Sequence, residues 1–553
     1  MWRVGFVFGV VACFLSLAGL VEALHARWVV DGVVSTGQTL LLILGATAGA
    51  VAASKRGGSL GAGLLAGLVA GATVGFCVGF LVWLQTQVPL RAMFVNASPT
   101  LFQLLSAGHR PEVAWPFAVL VGSWLGLLGA AASRAPGKWI RPPVTGAAAV
   151  VAFALFQELV LLMLQPESLV AIRDWFFVGG GGPTAQGAAV LFAAGAAASA
   201  LRAPLHSAAR RANLAPRAAR WVWGLVGVAA LAALPVAGGP FVAQVLVLVG
   251  LYTLMGLGLN LEVGLAGLLD LGFVAFFAIG AYTVGLLTSV GEHGIAHWSF
   301  WAAVPVAVLV SLVAGVVLGI PVLGIRGDYL AIATLGFGEI VRLLVLSDAL
   351  RPWLGGSQGV LAIPKPVLAG FEFSGPQQLY YLTVLASALV AYVAWRLQNS
   401  RLGRAWMAIR EDEDVAEALG INLVSVKLLA YGLGAAFAGV GGALFAVLVG
   451  SVFPHSFQLL ISIQVLALII VGGIGSIPGV ILGSVVLIGL PELLREFGEF
   501  RFLVYGVALV MMMLLRPEGL LPAAAQRRQL HAFEEEPEPA VLTGRQVPAG
   551  GGS

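Results

Sequence analysis

Charge is what this sequence has least of. Aspartate, glutamate, lysine and arginine make up 10% of its 553 residues, against 59% for hydrophobic types. Mean hydropathy is +0.97, far more apolar surface than a soluble domain needs. Cysteine is nearly absent too. The two present, Cys13 and Cys77, both lie inside apolar runs, which excludes a disulfide framework and offers no metal-ligand spacing. They read as small packing residues. A G-x-x-x-x-G-K-[ST] phosphate loop is missing, and the Gly-rich stretch GGGGPTAQG (179–187) has no lysine, so ATP has no site of that kind here. The net charge of +4 is too small to point to a nucleic acid, and none is expected as a partner.

What is present is a succession of apolar runs, each long enough to cross the hydrocarbon of a membrane as a helix. They predict an all-α polytopic membrane protein of about sixteen transmembrane helices in contact with lipid. The 73 glycines fit close packing between such helices better than loops. The first run, MWRVGFVFGVVACFLSLAGLVEAL, is too long for a signal-peptide core and reads as the first span.

Basic connections set the topology. SKRGG (54–58), SRAPGKWIRPP (133–143) and RAPLHSAARRANLAPRAAR (202–220) alternate with stretches poorer in lysine and arginine at 25–37, 88–115 and 166–184. With basic loops inside, the N-terminus is cytoplasmic. Residues 1–201 form a module of about six spans of unknown function, and 202–220 is a basic cytoplasmic linker. A core of about ten spans then fills 221–522. Its candidates lie near 221–237, 241–260, 264–290, 300–322, 329–347, 378–397, 424–449, 459–472, 479–491 and 501–515. Loops 291–299 and 350–377 fall outside, and the polar tail 523–553 is a disordered cytoplasmic end by composition. Glu158, beside Gln157, is the one clearly intramembrane charge of the first module.

The stretch GRAWMAIREDEDVAEALGIN (403–422) breaks the pattern, with Arg404, Arg410, Glu411, Asp412, Glu413, Asp414 and Glu417 in close succession. Asp414 and Glu417 have the spacing of a helix cap and its reciprocal partner. Gly420 suits the end of that short helix, and Asn422 the cap of the next span. Val415, Ala418 and Leu419 fall on one helical face, as do Ala405, Ala408 and Ile409 upstream. A charged, capped, half-apolar helix is either a solvated loop marking topology or a docking element for a partner in water.

Extended to GRAWMAIREDEDVAEALGINLVSVKLLAYGLGAAFAGVGGALFA (403–446), the stretch resembles the LivM-type permease subunits of branched-chain amino acid ABC importers. GLNLEVGLAGLLDLGFVAFFAIGAYT (258–283), GIRGDYLAIATLGFGEIVRLL (324–344), GGIGSIPGVILGS (472–484) and the ending MLLRPEGLL (513–521) match in the same order. The resemblance covers residues from near 240 to 522. It implies that Arg410, Glu411, Asp412, Glu413, Asp414, Val415, Glu417, Ala418, Leu419 and Gly420 belong to a coupling helix seated on an ATPase subunit. It also implies two ABC ATPase subunits that bind the ATP, a second permease of LivH type, an external substrate-binding protein and a bacterial inner membrane. This chain would then be a transport subunit with no cofactor and no chemistry of its own. A urea or short-amide importer is the alternative within that class. An ion-coupled secondary transporter is the alternative outside it, but would not need a partner-shaped loop. GGSQG (355–359) also fits the G-x-S-x-G of a hydrolase elbow, with His293, His297 and His455 on the same outer side. Its flanks RPWL and VLAIPKP read as loop rather than strand and helix.

Ionisable groups inside a membrane are expensive and become functional candidates by default. Here they are Glu262, Asp270, Asp328, Glu339 and Arg342. Glu339 and Arg342 are spaced to neutralise each other, Asp328 suits a helix start, and Asp270 stands among small residues where it can bond a neighbouring helix. Tyr282, Thr334 and Gln464 are polar candidates for the lining of a path. In VGGIGSIPG (471–479), Gly472, Gly473, Gly475, Pro478 and Gly479 interrupt an apolar run, either as a tight turn or as a broken helix lining the path.

Overall fold

In lipid every backbone N–H and C=O needs an internal partner, so apolar runs of this length fold as helices. The computed structural model describes residues 2–522 apart from 56–58, 158–159, 162–169, 178–181, 212–226, 228–230, 237, 323, 326, 496–497, 499 and 517. Among the described residues nine helices are long and apolar enough to cross a membrane, and shorter apolar helices accompany them. The chain divides into two compact units, one dominated by Met1–Ala230 and the other by Leu231–Arg495.

The first unit is built on α1 (Trp2–Leu17), α2 (Thr36–Ser54), α3 (Leu60–Gln87), α4 (Pro111–Arg134), α5 (Gly137–Leu155) and α6 (Ala185–Arg211). A short antiparallel hairpin, β1 (Trp28–Val30) with β2 (Val34–Ser35), leads into α2. There Ser35 and Gln38 form a reciprocal cap. α3 and α4 approach through glycine: a Cβ added at Gly71 would stand 2.0 Å from the Gly122 carbonyl oxygen. Only small residues permit that backbone contact. The two cysteines meet, the Cys13 thiol donating to the Cys77 carbonyl at 3.4 Å. α6 continues through Arg211, so helix covers the first half of the segment expected as linker. An unbroken helical pattern simply extends past the change from apolar to basic residues. Glu158 lies outside the described residues, as do 212–220, most of the expected span 221–237, and the tail.

The second unit starts with α7 (Gly239–Leu259), which passes into a π-helical turn, Asn260–Leu265. Residues 266–273 are then irregular, and α8 (Val274–Thr288) follows. The span expected at 264–290 is thus corrected. Its first ten positions are π turn and irregular chain, because hydropathy reports the apolarity of LAGLLDLGF and not whether its backbone is helical. Next come α9 (Phe300–Gly319), α10 (Asp328–Leu346), α11 (Pro376–Gln398), α12 (Arg401–Glu411), α13 (Glu413–Ala418) and α14 (Leu423–Val449). α15 (Leu459–Gly472), α16 (Ile477–Ser484) and α17 (Phe500–Leu515) complete it.

α7 with its π turn and α14 form the centre, with 72% of each span buried, against 22% for the span in α10. α14 lies so close to α8 that a Cβ at Gly442 would stand 2.0 Å from the Phe277 carbonyl oxygen. At its far end the Lys365 ammonium donates to the carbonyls of Val447 and Leu448 at 2.6 and 2.9 Å, a cation on the negative end of a long helix. Burial holds Lys365 below the ordinary lysine range. The same outer loop carries a second hairpin, β3 (Val367–Leu368) with β4 (Phe371–Glu372). No strand precedes GGSQG: it follows the helical turn Arg351–Leu354, so the geometry of a nucleophile elbow is not formed.

Candidate functional site: a helix break gripped by the charged loop

The break between α7 and α8 leaves backbone groups that a continuous helix would have satisfied. Most of the partners come from other elements, and one, Asp270, from the break itself. The Gly264 carbonyl accepts from Arg410 Nη1 at 2.6 Å. Leu271 N donates to Thr334 Oγ1 at 3.0 Å, Gly272 N to Asp270 Oδ1 at 2.7 Å, and Val274 N to Ser462 Oγ at 3.0 Å. Asn260 Oδ1 accepts from Gly475 N at 2.8 Å, while Gln398 Nε2 donates to the Gly475 carbonyl at 3.0 Å. Four elements therefore hold the break in place, α10, α12, α15 and the turn after α15, and α11 braces that turn through Gln398. Irregular backbone at membrane depth survives only with such support, and π turns recur at functional sites.

Four of the matched stretches converge here. Thr334 comes from the second, Arg410 from the third, Gly475 from the fourth, and the break is the first. The fifth, the chain's ending, meets the fourth. Leu520 N and Leu521 N donate to the carbonyls of Val471 and Gly472, both at 2.8 Å. Gly472, Gly473, Gly475, Pro478 and Gly479 form a turn between two packed helices. Gly473 sits at φ +122 with the Leu521 backbone against it, a conformation that leaves no room for a side chain. Ser476 caps α16 by accepting from Gly479 N at 3.2 Å, with Pro478 in its first turn.

The charged loop folds as two helices. α12 is fastened to the core by Trp406, which is fully buried and donates its Nε1 to the Val426 carbonyl at 2.8 Å. α13 is capped by Asp412, not by Asp414: Asp412 Oδ1 accepts from Asp414 N and Val415 N, both at 3.0 Å. The expected cap was two residues late because α12 runs on to Glu411. The one extended residue available between the two helices is then Asp412. Asp414 lies in the first turn, where a carboxylate favours the helix dipole. Glu413 points inward to an ion pair with Lys427 of α14. Glu411 ends α12, and Glu417 is exposed. Gly420 ends the helix at φ +86, and Asn422 caps α14 by accepting from Ser425 N at 3.0 Å. α13 buries only Ala416 against its own core. Val415 and Leu419 are 54% and 76% exposed, and Ala418 is exposed between them.

The intramembrane candidates fall into separate groups. Asp270 and Thr334 meet at the break, with Tyr431 of α14, and line one small cavity. Tyr282 and Arg342 line a second, with Phe457. Arg342 Nε donates to Glu339 Oε2 at 3.0 Å, the pairing their spacing predicts. Gln464 stands elsewhere, accepting from the Tyr252 hydroxyl at 2.9 Å. Asp328 is the first residue of α10, and its side chain lies outside the described residues. Asn260, Gln398, Lys427 and Ser462 were missed. Each is a lone polar residue in or beside an apolar run, which is a legible signal, but its partner is distant in sequence.

The family described as branched-chain amino acid transport system / permease component matches residues 241–515. The high-affinity branched-chain amino acid transport system permease protein LivM of Salmonella typhimurium is 44% identical over 313 residues, 52% of this chain and 72% of that protein. LivM of Escherichia coli K12 is 43% identical over 303 residues, 51% of this chain and 70% of its own. A shorter likeness, 33% over 147 residues, links 26% of this chain to 46% of the E. coli permease LivH. No solved structure matches.

Proposed function

The chain belongs to the family of branched-chain amino acid transport permease components, and on that premise we propose that it is the LivM-type subunit of an ATP-driven importer. It carries branched-chain amino acids from an external binding protein into the cytoplasm. Two partner ATPase subunits bind and hydrolyse the ATP, and a LivH-type permease completes the path. The chain lies in a bacterial inner membrane with both termini cytoplasmic. It binds no cofactor of its own.

The observation that carries this reading is the connection between the exposed face of α13 and the helix break. Val415, Ala418 and Leu419 are offered outward, as a docking surface for a protein partner. One helix earlier, Arg410 holds the π turn. α12 cannot peel from the core cheaply, since Trp406 is fully buried and bonded to the Val426 carbonyl, and even truncating a buried tryptophan costs roughly 3–5 kcal/mol. A push on α13 is therefore passed on as a rigid-body motion of α12, and Arg410 delivers it to the break. ATP closes the ATPase pair, the loop moves with it, and the break changes the tilt of α8 against α7, switching access between the two sides. Glu413 contributes by locking the loop to α14 through Lys427, while Glu411, Asp414 and Glu417 contact the ATPase.

The test is a mild-detergent pull-down from native membranes with co-purifying chains identified by mass, followed by uptake of labelled leucine and urea. Two P-loop ATPases, a second permease and preference for leucine are expected. A chain that comes down alone refutes the coupling role, and preference for urea moves the substrate to the short amides.

A further inference from the structure

Behind the break lie two acidic side chains with nothing basic against them. Glu262 is 0% exposed and Asp270 1%. They stand eight residues apart, one in the π turn and one in the irregular chain after it. Neither oxygen of Glu262 meets a donor, and its Oε1 is pressed where a Cβ at Gly434 would stand, 2.0 Å away. Among the described residues no lysine, arginine or histidine pairs with either carboxyl. Arg410 is engaged with a carbonyl instead. Two carboxylates close together in a dry core do not both remain charged unless a cation joins them.

A cavity opens on Asp270, with Glu262 behind it and outside the lining. Asp270, Thr334 and Tyr431 form its polar side. The Tyr431 hydroxyl is buried, with the residue 3% exposed, and has no hydrogen-bond partner. Phe276, Leu318 and Phe337 form the apolar side. A few convergent polar groups on an apolar wall are the make-up of a small-ligand site. The polar side carries the Asp270 carboxyl, one oxygen of which accepts from Gly272 N, and the unpartnered Tyr431 hydroxyl, so it fits an ammonium. The apolar side fits a branched aliphatic chain.

We propose that this cavity is a station on the transport path, where Asp270, backed by Glu262, receives the ammonium of the amino acid. The Tyr431 hydroxyl completes the polar contact, and Phe276, Leu318 and Phe337 hold the side chain. The cavity is narrow in this conformation, so admission requires α10 to move away from α14. The proposal rests on the reading of the chain as an amino-acid permease, and it adds to that reading the residues that recognise the substrate.

The test uses the full complex with its binding protein and ATPases in lipid, and a leucine analogue carrying a diazirine on its side chain. Illumination during turnover should label the peptides of α8 and α10 that hold Phe276 and Phe337, and excess leucine should suppress the label. Asp270→Asn should lower labelling about tenfold or more, the loss of one charge-assisted contact. Glu262→Gln, which keeps the shape of the core, should lower it as well. Labelling confined to other segments, or undiminished in Asp270→Asn, overturns the station while leaving the importer in place. Failure of the wild-type complex to take up leucine removes both.

Discussion

Asp412 opens α13 because its backbone, at φ −156 and ψ 116, is the one extended residue between two helices. Four consecutive acids, Glu411 to Asp414, are alike in a composition window, yet the fold gives each a different task. One ends a helix, one caps, one pairs with Lys427 and one sits in the first turn. Replacing Asp412 by alanine removes a cap worth about 1 kcal/mol. Hydrogen exchange at the amides of Asp414 and Val415 should quicken, whereas Asp414→Ala should leave the amide of Val415 as it was. Equal effects of the two substitutions would return the cap to Asp414. The pairing of Glu339 with Arg342 was legible from spacing, since both partners lie on one helix. The pairing of Glu413 with Lys427 was not, because it depends on how α13 folds back on α14.

At the scale of elements the decisive feature is the interruption between α7 and α8. Its sequence is apolar enough to pass for a span, and its glycines, Asn260 and Glu262 are the only hints of irregular backbone. Whether such a segment breaks depends on partners that arrive from four other elements, none of them adjacent in sequence. Arg410 matters most among them, since among the described residues its hydrogen bond to Gly264 ties the break to the loop that a partner would move. A hydrogen bond from a charged donor contributes roughly 1.5–3 kcal/mol, so Arg410→Ala should cut leucine uptake about tenfold or more while the assembled complex still hydrolyses ATP. Measuring both rates on one reconstituted preparation separates the possibilities. Uptake and hydrolysis lost together would mean that docking, not transmission, depends on Arg410.

For the whole molecule, the two units call for different expectations. The second has its own apolar centre around α7 and α14 and contains all but five residues, 496–500, of the region matched by the family. Deleting residues 1–200 should therefore leave the preference for leucine unchanged and lower the yield of assembled complex, read by competition uptake and by size-exclusion chromatography. A truncated complex that assembles normally but changes its substrate preference would give the first unit a role in selection. The sequence by itself determined the membrane class, most of the helices, the charged loop and the family. Apolar length, charge placement and ordered local motifs carry these properties, and all of them act over a few turns of chain. Only the tertiary structure decided that α7 breaks, that Asp412 caps, that Arg410 reaches Gly264, and that Asp270, Thr334 and Tyr431 converge on one cavity. Those contacts join residues up to some two hundred positions apart, and no local pattern encodes a distance that the fold alone closes.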